Sequence, residues 1–135
     1  MKVKDLRIGN IVWHKSEFIG YRYSEVIGFL DAEYVVVLEH FREDREDMVF
    51  KRPLAIEAVQ GLPLTSRILK DNGFKSNRYN NIEKDGKKLG LFRSTENEKV
   101  FLRLQLYDSR KVFKYVHEFQ NFLNLIGLDD ELKIE

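Results

Sequence analysis

From Leu6 to about Phe50 the apolar positions come in short β-rich runs, Ile8 to Trp13, Glu25 to Leu30 and Glu33 to Leu38, each broken by glycine or by polar residues. Such runs predict a small twisted sheet, curled into a barrel. Only Asp31-Ala32 separates the second run from the third, which predicts a tight hairpin, and Gly9-Asn10 and Gly20 mark bends. The stretch Phe41 to Asp47 alternates in charge and reads as a solvated loop before Met48-Val49-Phe50 resumes a strand.

Both prolines, Pro53 and Pro63, fall in the stretch from Pro53 to Leu64, so a boundary between two parts belongs there. Thr65 then stands where a helix N-cap is expected, Ser66 to Asn72 forms a short helix, and Gly73 stops it. Next, Tyr79 to Lys84 and Lys88 to Arg93 flank Asp85-Gly86-Lys87, a hairpin signal. Val100 to Tyr107 alternates, with Leu102, Leu104 and Leu106 on one face, and predicts a third antiparallel strand. The last strong pattern has helical period: Val112, Val116, Phe119, Leu123 and Ile126 fall on one stripe of a helix running from about Arg110 to Ile126, ended by Gly127. His117, Gln120, Asn121 and Asn124 lie on its other side.

These elements define an α+β protein. Residues 1–52 make a small strand-rich N-terminal barrel, and residues 53–135 make a short connector helix and a three-stranded antiparallel sheet covered by a C-terminal helix, the two packed as one compact unit.

Composition narrows the functional classes. The 135 residues are 43% hydrophobic and carry a net charge of only +1, so the chain is globular and has no global field to hold it on nucleic acid or an anionic membrane. The absence of cysteine excludes disulfides and thiolate chemistry and fits a reducing compartment, so a cytoplasmic location is expected. No stretch of eighteen apolar residues occurs, and Met1 to Arg7 has no signal-peptide run.

Three segments together carry a resemblance. Leu6-Arg7-Ile8-Gly9-Asn10, Leu62-Pro63-Leu64-Thr65 with Gly73-Phe74, and Tyr115-Val116-His117-Glu118-Phe119-Gln120-Asn121 are similar, in order and spacing, to the LRIGN, PIPLT, GF and YVHxLQN pattern of small uncharacterised proteins from Bacteroidetes genomes and their phages or prophages. Leu62 stands in place of isoleucine and Phe119 in place of leucine. The resemblance implies a bacterial or phage cytoplasmic protein encoded in mobile elements, and it brings no catalytic residue with it.

His117 is the sharpest chemical candidate, since imidazole titrates near neutral pH and Asn121 and Asn124 lie beside it at helical spacing. Glu118 is about 100° away around the helix, so no simple acid–histidine pair forms. Two uses of the polar side remain: His117, Gln120, Asn121 and Asn124 bond to the hairpin or the connector, or they form a partner-binding surface. His14 and His40 share no metal-ligand spacing with His117, and no phosphate loop or nucleophile elbow surrounds Ser66, Ser94 or Ser109. No cofactor and no metal are therefore expected. From Lys70 to Lys88 there are six basic and three acidic residues, interleaved with Phe74, Tyr79 and asparagines, which suits a single strand held by charge and stacking.

The leading reading is a non-catalytic binding or accessory module for a protein partner, working through the polar side of the last helix or the exposed side of the barrel. The alternative is nucleic-acid binding through Lys70, Lys75, Arg78, Tyr79, Lys84, Lys87, Lys88 and Arg93. A third reading is an enzyme using His117.

Overall fold

The computed structural model describes residues 1–16, 20–43, 46–104 and 112–134. The chain divides into two units, Met1–Leu62 and Pro63–Glu135. The division therefore falls at Pro63 rather than after residue 52, because the stretch from Pro53 to Gly61 completes the first sheet.

In the first unit the strands are β1 (Ile11–Ser16), β2 (Gly20–Phe29), β3 (Tyr34–Glu43), β4 (Glu46–Ala55) and β5 (Val59–Gly61), ordered β4-β3-β2-β1-β5, with neighbours antiparallel. The opening motif is a turn: Asn10 donates its N–H to the Arg7 carbonyl at 3.1 Å and accepts the Arg7 N–H on Oδ1 at 2.7 Å. Gly9, at φ 95°, takes the left-handed position that such a turn requires. Pro53 lies within β4 opposite Val36. A residue without an N–H is tolerated there because β4 is an edge strand.

The tight Asp31-Ala32 hairpin is not formed. Residues 30–33 make a longer loop, closed by Asp31, whose Oδ1 accepts the N–H groups of Glu33 (2.8 Å) and Tyr34 (3.1 Å). The expected solvated loop from Phe41 to Asp47 is also mostly strand, with Arg42 opposite Asp47 and Glu43 opposite Glu46. The backbone pairing of β3 with β4 runs through both flanks of this charged stretch; Asp44 and Arg45 lie outside the described residues.

Alternation along these strands sends Val12, Val26, Val35, Val37 and Leu54 to one face, where they pack with Leu6, Ile56 and Val59 into the unit's core.

The second unit begins with α1 (Ser66–Asp71), followed by β6 (Lys75–Ser76), β7 (Asn81–Lys84), β8 (Lys87–Glu96), β9 (Lys99–Leu104), β10 (Val112–Phe113) and α2 (Val116–Leu125). Its sheet has five strands in the order β10-β9-β8-β7-β6, more than the three expected. Thr65 caps α1 by accepting the Ile68 N–H at 3.2 Å. Gly73 and Phe74 end α1 by donating to the carbonyls of Lys70 and Leu69, and Gly127 and Leu128 end α2 in the same way on Asn124 and Leu123. Asp85-Gly86 and Asn97-Glu98 turn the two central hairpins, all four residues having positive φ.

α2 starts later than its periodicity suggests. Val112 pairs with Arg103 as part of β10, and Glu118 Oε1 accepts the N–H groups of Lys114 and Tyr115, which sets the helix start at Val116. The expected extensions of β9 to Tyr107 and of the helix back to Arg110 lie outside the described residues. Val116, Phe119 and Leu123 are fully buried, and the Phe119 ring meets Phe74 edge-on at 5.0 Å.

Candidate functional site

The polar side of α2 is not a solvent face. His117 and Gln120 are buried, Asn121 is half-buried and only Asn124 is exposed. For Gln120 the cause is the chain that follows the helix. After Gly127 it returns along α2, Gln120 donates Nε2–H to the Asp130 carbonyl at 3.1 Å, and Leu132 is buried. Asn72, just past α1, holds the same segment by both sides of its amide: Nδ2 donates to the Lys133 carbonyl and Oδ1 accepts the Lys133 N–H, each at 2.7 Å. The His117 ring stacks on Tyr115 at 5.7 Å. A partner surface built on His117 and Gln120 would need exposure that these two lack, and catalysis at His117 would need access to substrate.

The eight basic-hairpin residues differ in their surroundings. Arg93 faces α1, bonding Ser66, Ser76 (3.1 Å) and Thr95 (3.1 Å) through its guanidinium, and the Lys84 ammonium lies 4.7 Å from the centre of the buried Phe74 ring. Lys70 and Lys75 are exposed on α1 and β6, and Lys87 and Lys88 are exposed just beyond the Asp85-Gly86 turn. Arg78 and Tyr79 stand on the loop between β6 and β7, with the Arg78 guanidinium 4.8 Å from the Tyr79 ring centre. That loop is shaped by Asn77, whose Oδ1 accepts the N–H groups of Tyr79 (2.9 Å) and Asn81 (3.1 Å).

Two features of the first unit come from strand register. The first is a buried polar group on the inner face of the sheet. His14 Nε2 lies 2.7 Å from Ser24 Oγ, and Nδ1 lies 3.3 Å from the Lys15 carbonyl. Burial lowers the His14 pKa below its ordinary value, outweighing the opposing effects of the Lys15 carbonyl and the Glu39 carboxylate, while Arg52 and Arg22 add to the lowering. A carbonyl only accepts, so the neutral ring carries its proton on Nδ1 and Nε2 accepts the Ser24 hydroxyl. Glu39, fully buried, meets Arg52 Nη1 at 3.4 Å through Oε2. These are the atoms of a serine–histidine pair, but both side chains are closed to solvent, and a carbonyl rather than a carboxylate orients the ring.

The second feature lies on the opposite face. Trp13 is flanked by Tyr23 on β2 and Gln60 on β5, and its ring is nearly parallel to that of Tyr21, with centroids 6.1 Å apart and planes 8° apart. Tyr21 is 54% exposed, while Trp13 and Tyr23 are half-buried. Three aromatic rings thus share an open face with Lys15, which pairs with Tyr21. Alternating aromatics at Trp13, Tyr21 and Tyr23 are the signal that would have found this surface.

Among the described residues no group of three His, Cys, Asp or Glu side chains is placed to hold a metal, and no helix is long and apolar enough to cross a membrane. Comparison with protein-family models, curated proteins and solved structures gives no match.

Proposed function

We propose that this chain is a non-catalytic binding or accessory module of phage or mobile-element origin, and that it meets a protein partner through the open face of the first sheet. The observation that carries this reading is the Trp13, Tyr21 and Tyr23 cluster. Large aromatic side chains left at a surface are the residue types that most often anchor interfaces, because they bury much area and lose little side-chain entropy. Origin rests on the LRIGN, PIPLT and YVHxLQN resemblance alone. Antiparallel pairing of β1 with both β2 and β5 holds this face in place. Burial of His14, Ser24 and His117 weighs against an enzyme using them.

The test is capture from a bacterial host lysate with two double variants. Trp13→Ser with Tyr21→Ser removes the stacked pair and should abolish a specific capture made by the parent. Asn121→Ala with Asn124→Ala alters what is accessible on α2 and should leave it intact. The reverse result would return the contact to the last helix.

A further inference from the structure

The second unit has an open sheet face of its own. Phe92 on β8 stands opposite Asn81 on β7 and Arg103 on β9, so the three share one side of the sheet. Leu91 and Leu102, which alternate with Phe92 and Arg103, are fully buried on the other side. Phe92 is 40% exposed, and Tyr79, two residues before Asn81 on the loop shaped by Asn77, is 61% exposed. Arg78 accompanies Tyr79, and among the described residues neither Arg78 nor Arg103 has a carboxylate partner. The acidic groups on the same side are Glu83, which stands opposite Lys88 and accepts a hydrogen bond from Asn77, and Glu96, which stands opposite Lys99.

One atom on this face is unsatisfied. Asn81 is 6% exposed, and its side-chain Oδ1 is buried with no hydrogen-bond partner. A buried carbonyl without a hydrogen-bond partner, beside exposed Phe92 and two residues from exposed Tyr79, with Arg103 on the far side of Phe92, suits a planar ligand with N–H donors and negative charge. Charge is distributed to match. Residues 63–135 carry fourteen Lys and Arg against eleven Asp and Glu, whereas residues 1–62 carry nine against eleven.

We propose that this face binds single-stranded nucleic acid, with bases stacking on Phe92 and Tyr79, a base N–H donating to Asn81 Oδ1, and Arg78 and Arg103 on the phosphates. It shares with the protein-partner reading only the idea of non-catalytic contact, and it uses a different unit. A folded duplex hides its base faces and should bind less well. The site also moves the basic contact away from Lys84 and Arg93, which are engaged with Phe74 and with the serines, to Arg78, Tyr79, Phe92 and Arg103.

The experiment is fluorescence anisotropy with labelled single-stranded DNA and RNA homopolymers and a duplex of equal length, at about 50 mM salt and protein up to tens of micromolar, where even non-specific binding is detectable. The parent should bind single strands more tightly than the duplex. Tyr79→Ala with Phe92→Ala should weaken binding roughly tenfold or more, since stacked bases depend on their platform. Arg78→Gln with Arg103→Gln should flatten the salt dependence. Asn81→Ala should narrow the differences between homopolymers. Lys87→Gln with Lys88→Gln at the hairpin should matter less than the aromatic pair. Circular dichroism checks that each variant is folded, and the arginine and aromatic sites give independent readouts. No binding by the parent, equal affinity for duplex, or loss only in the Lys87 and Lys88 variant would each overturn the proposal without touching the first unit's face.

Discussion

His14 Nε2 and the Ser24 hydroxyl lie 2.7 Å apart in the interior of the first sheet, on neighbouring strands, with the Lys15 carbonyl fixing the other ring nitrogen. The pair lets two polar side chains be buried beside Val12 and Val26 without orphaned hydrogen-bonding groups at their contact.

A pH dependence follows. Because burial lowers the His14 pKa in the folded state, the unfolded chain binds the proton more readily, and stability is full above the unfolded value of about 6.5. It should fall as pH drops through that value toward the lower folded pKa, and level off below it. Urea denaturation at about pH 7.5 and pH 5.5 should show the loss, and His14→Asn should remove this part of it. An unchanged difference in the variant would place the titrating group elsewhere.

The returning C-terminal segment gives a second prediction. Asn72→Ala removes both bonds to Lys133 and Gln120→Ala removes the bond to Asp130, so each should cost about 1–3 kcal/mol, whereas exposed Asn124→Ala should stay within about 0.5 kcal/mol. Amide exchange at Lys133 should quicken in Asn72→Ala. Equal, small effects for all three variants would show that the segment is not held as described.

The turn between β8 and β9 can be improved. Asn97 and Glu98 both take left-handed conformations, at φ 48° and 69°, and the second position of such a turn favours glycine. Glu98→Gly should raise stability by about 1 kcal/mol, because a residue with a Cβ is strained there. Thermal denaturation reads this as a higher melting temperature; a decrease would mean that Glu98 makes a contact outweighing its strain.

What was legible in the sequence is what depends on neighbours along the chain. Thr65 and Gly73 announce α1, and Asp85-Gly86 announces its hairpin, because caps and turns are chosen over four or five residues. Asn97-Glu98 was not legible, since glutamate is a poor marker of a left-handed turn. Pro53 misled because proline marks a connector or an edge strand, and only the sheet order separates these. The α2 faces were half legible: period alone assigns Val116, Phe119 and Leu123 to the core, but the burial of Gln120 depends on residues 128–134 folding back, which no local pattern encodes. His14 with Ser24, and Phe92 with Asn81 and Arg103, meet through strand register, so spacing along the chain does not reveal them.

Trp13 is the chain's only tryptophan, and it lies on the face proposed to meet the partner, so its fluorescence reports contact there. Added to the parent protein, the captured partner should shift Trp13 emission to shorter wavelength and protect it from a soluble quencher, as burial in an interface removes water from the ring. The Tyr21→Ser variant should bind less tightly in the same titration. Saturating partner that leaves Trp13 emission and quenching unchanged would contradict the account and place the contact away from the open face of β1 and β2.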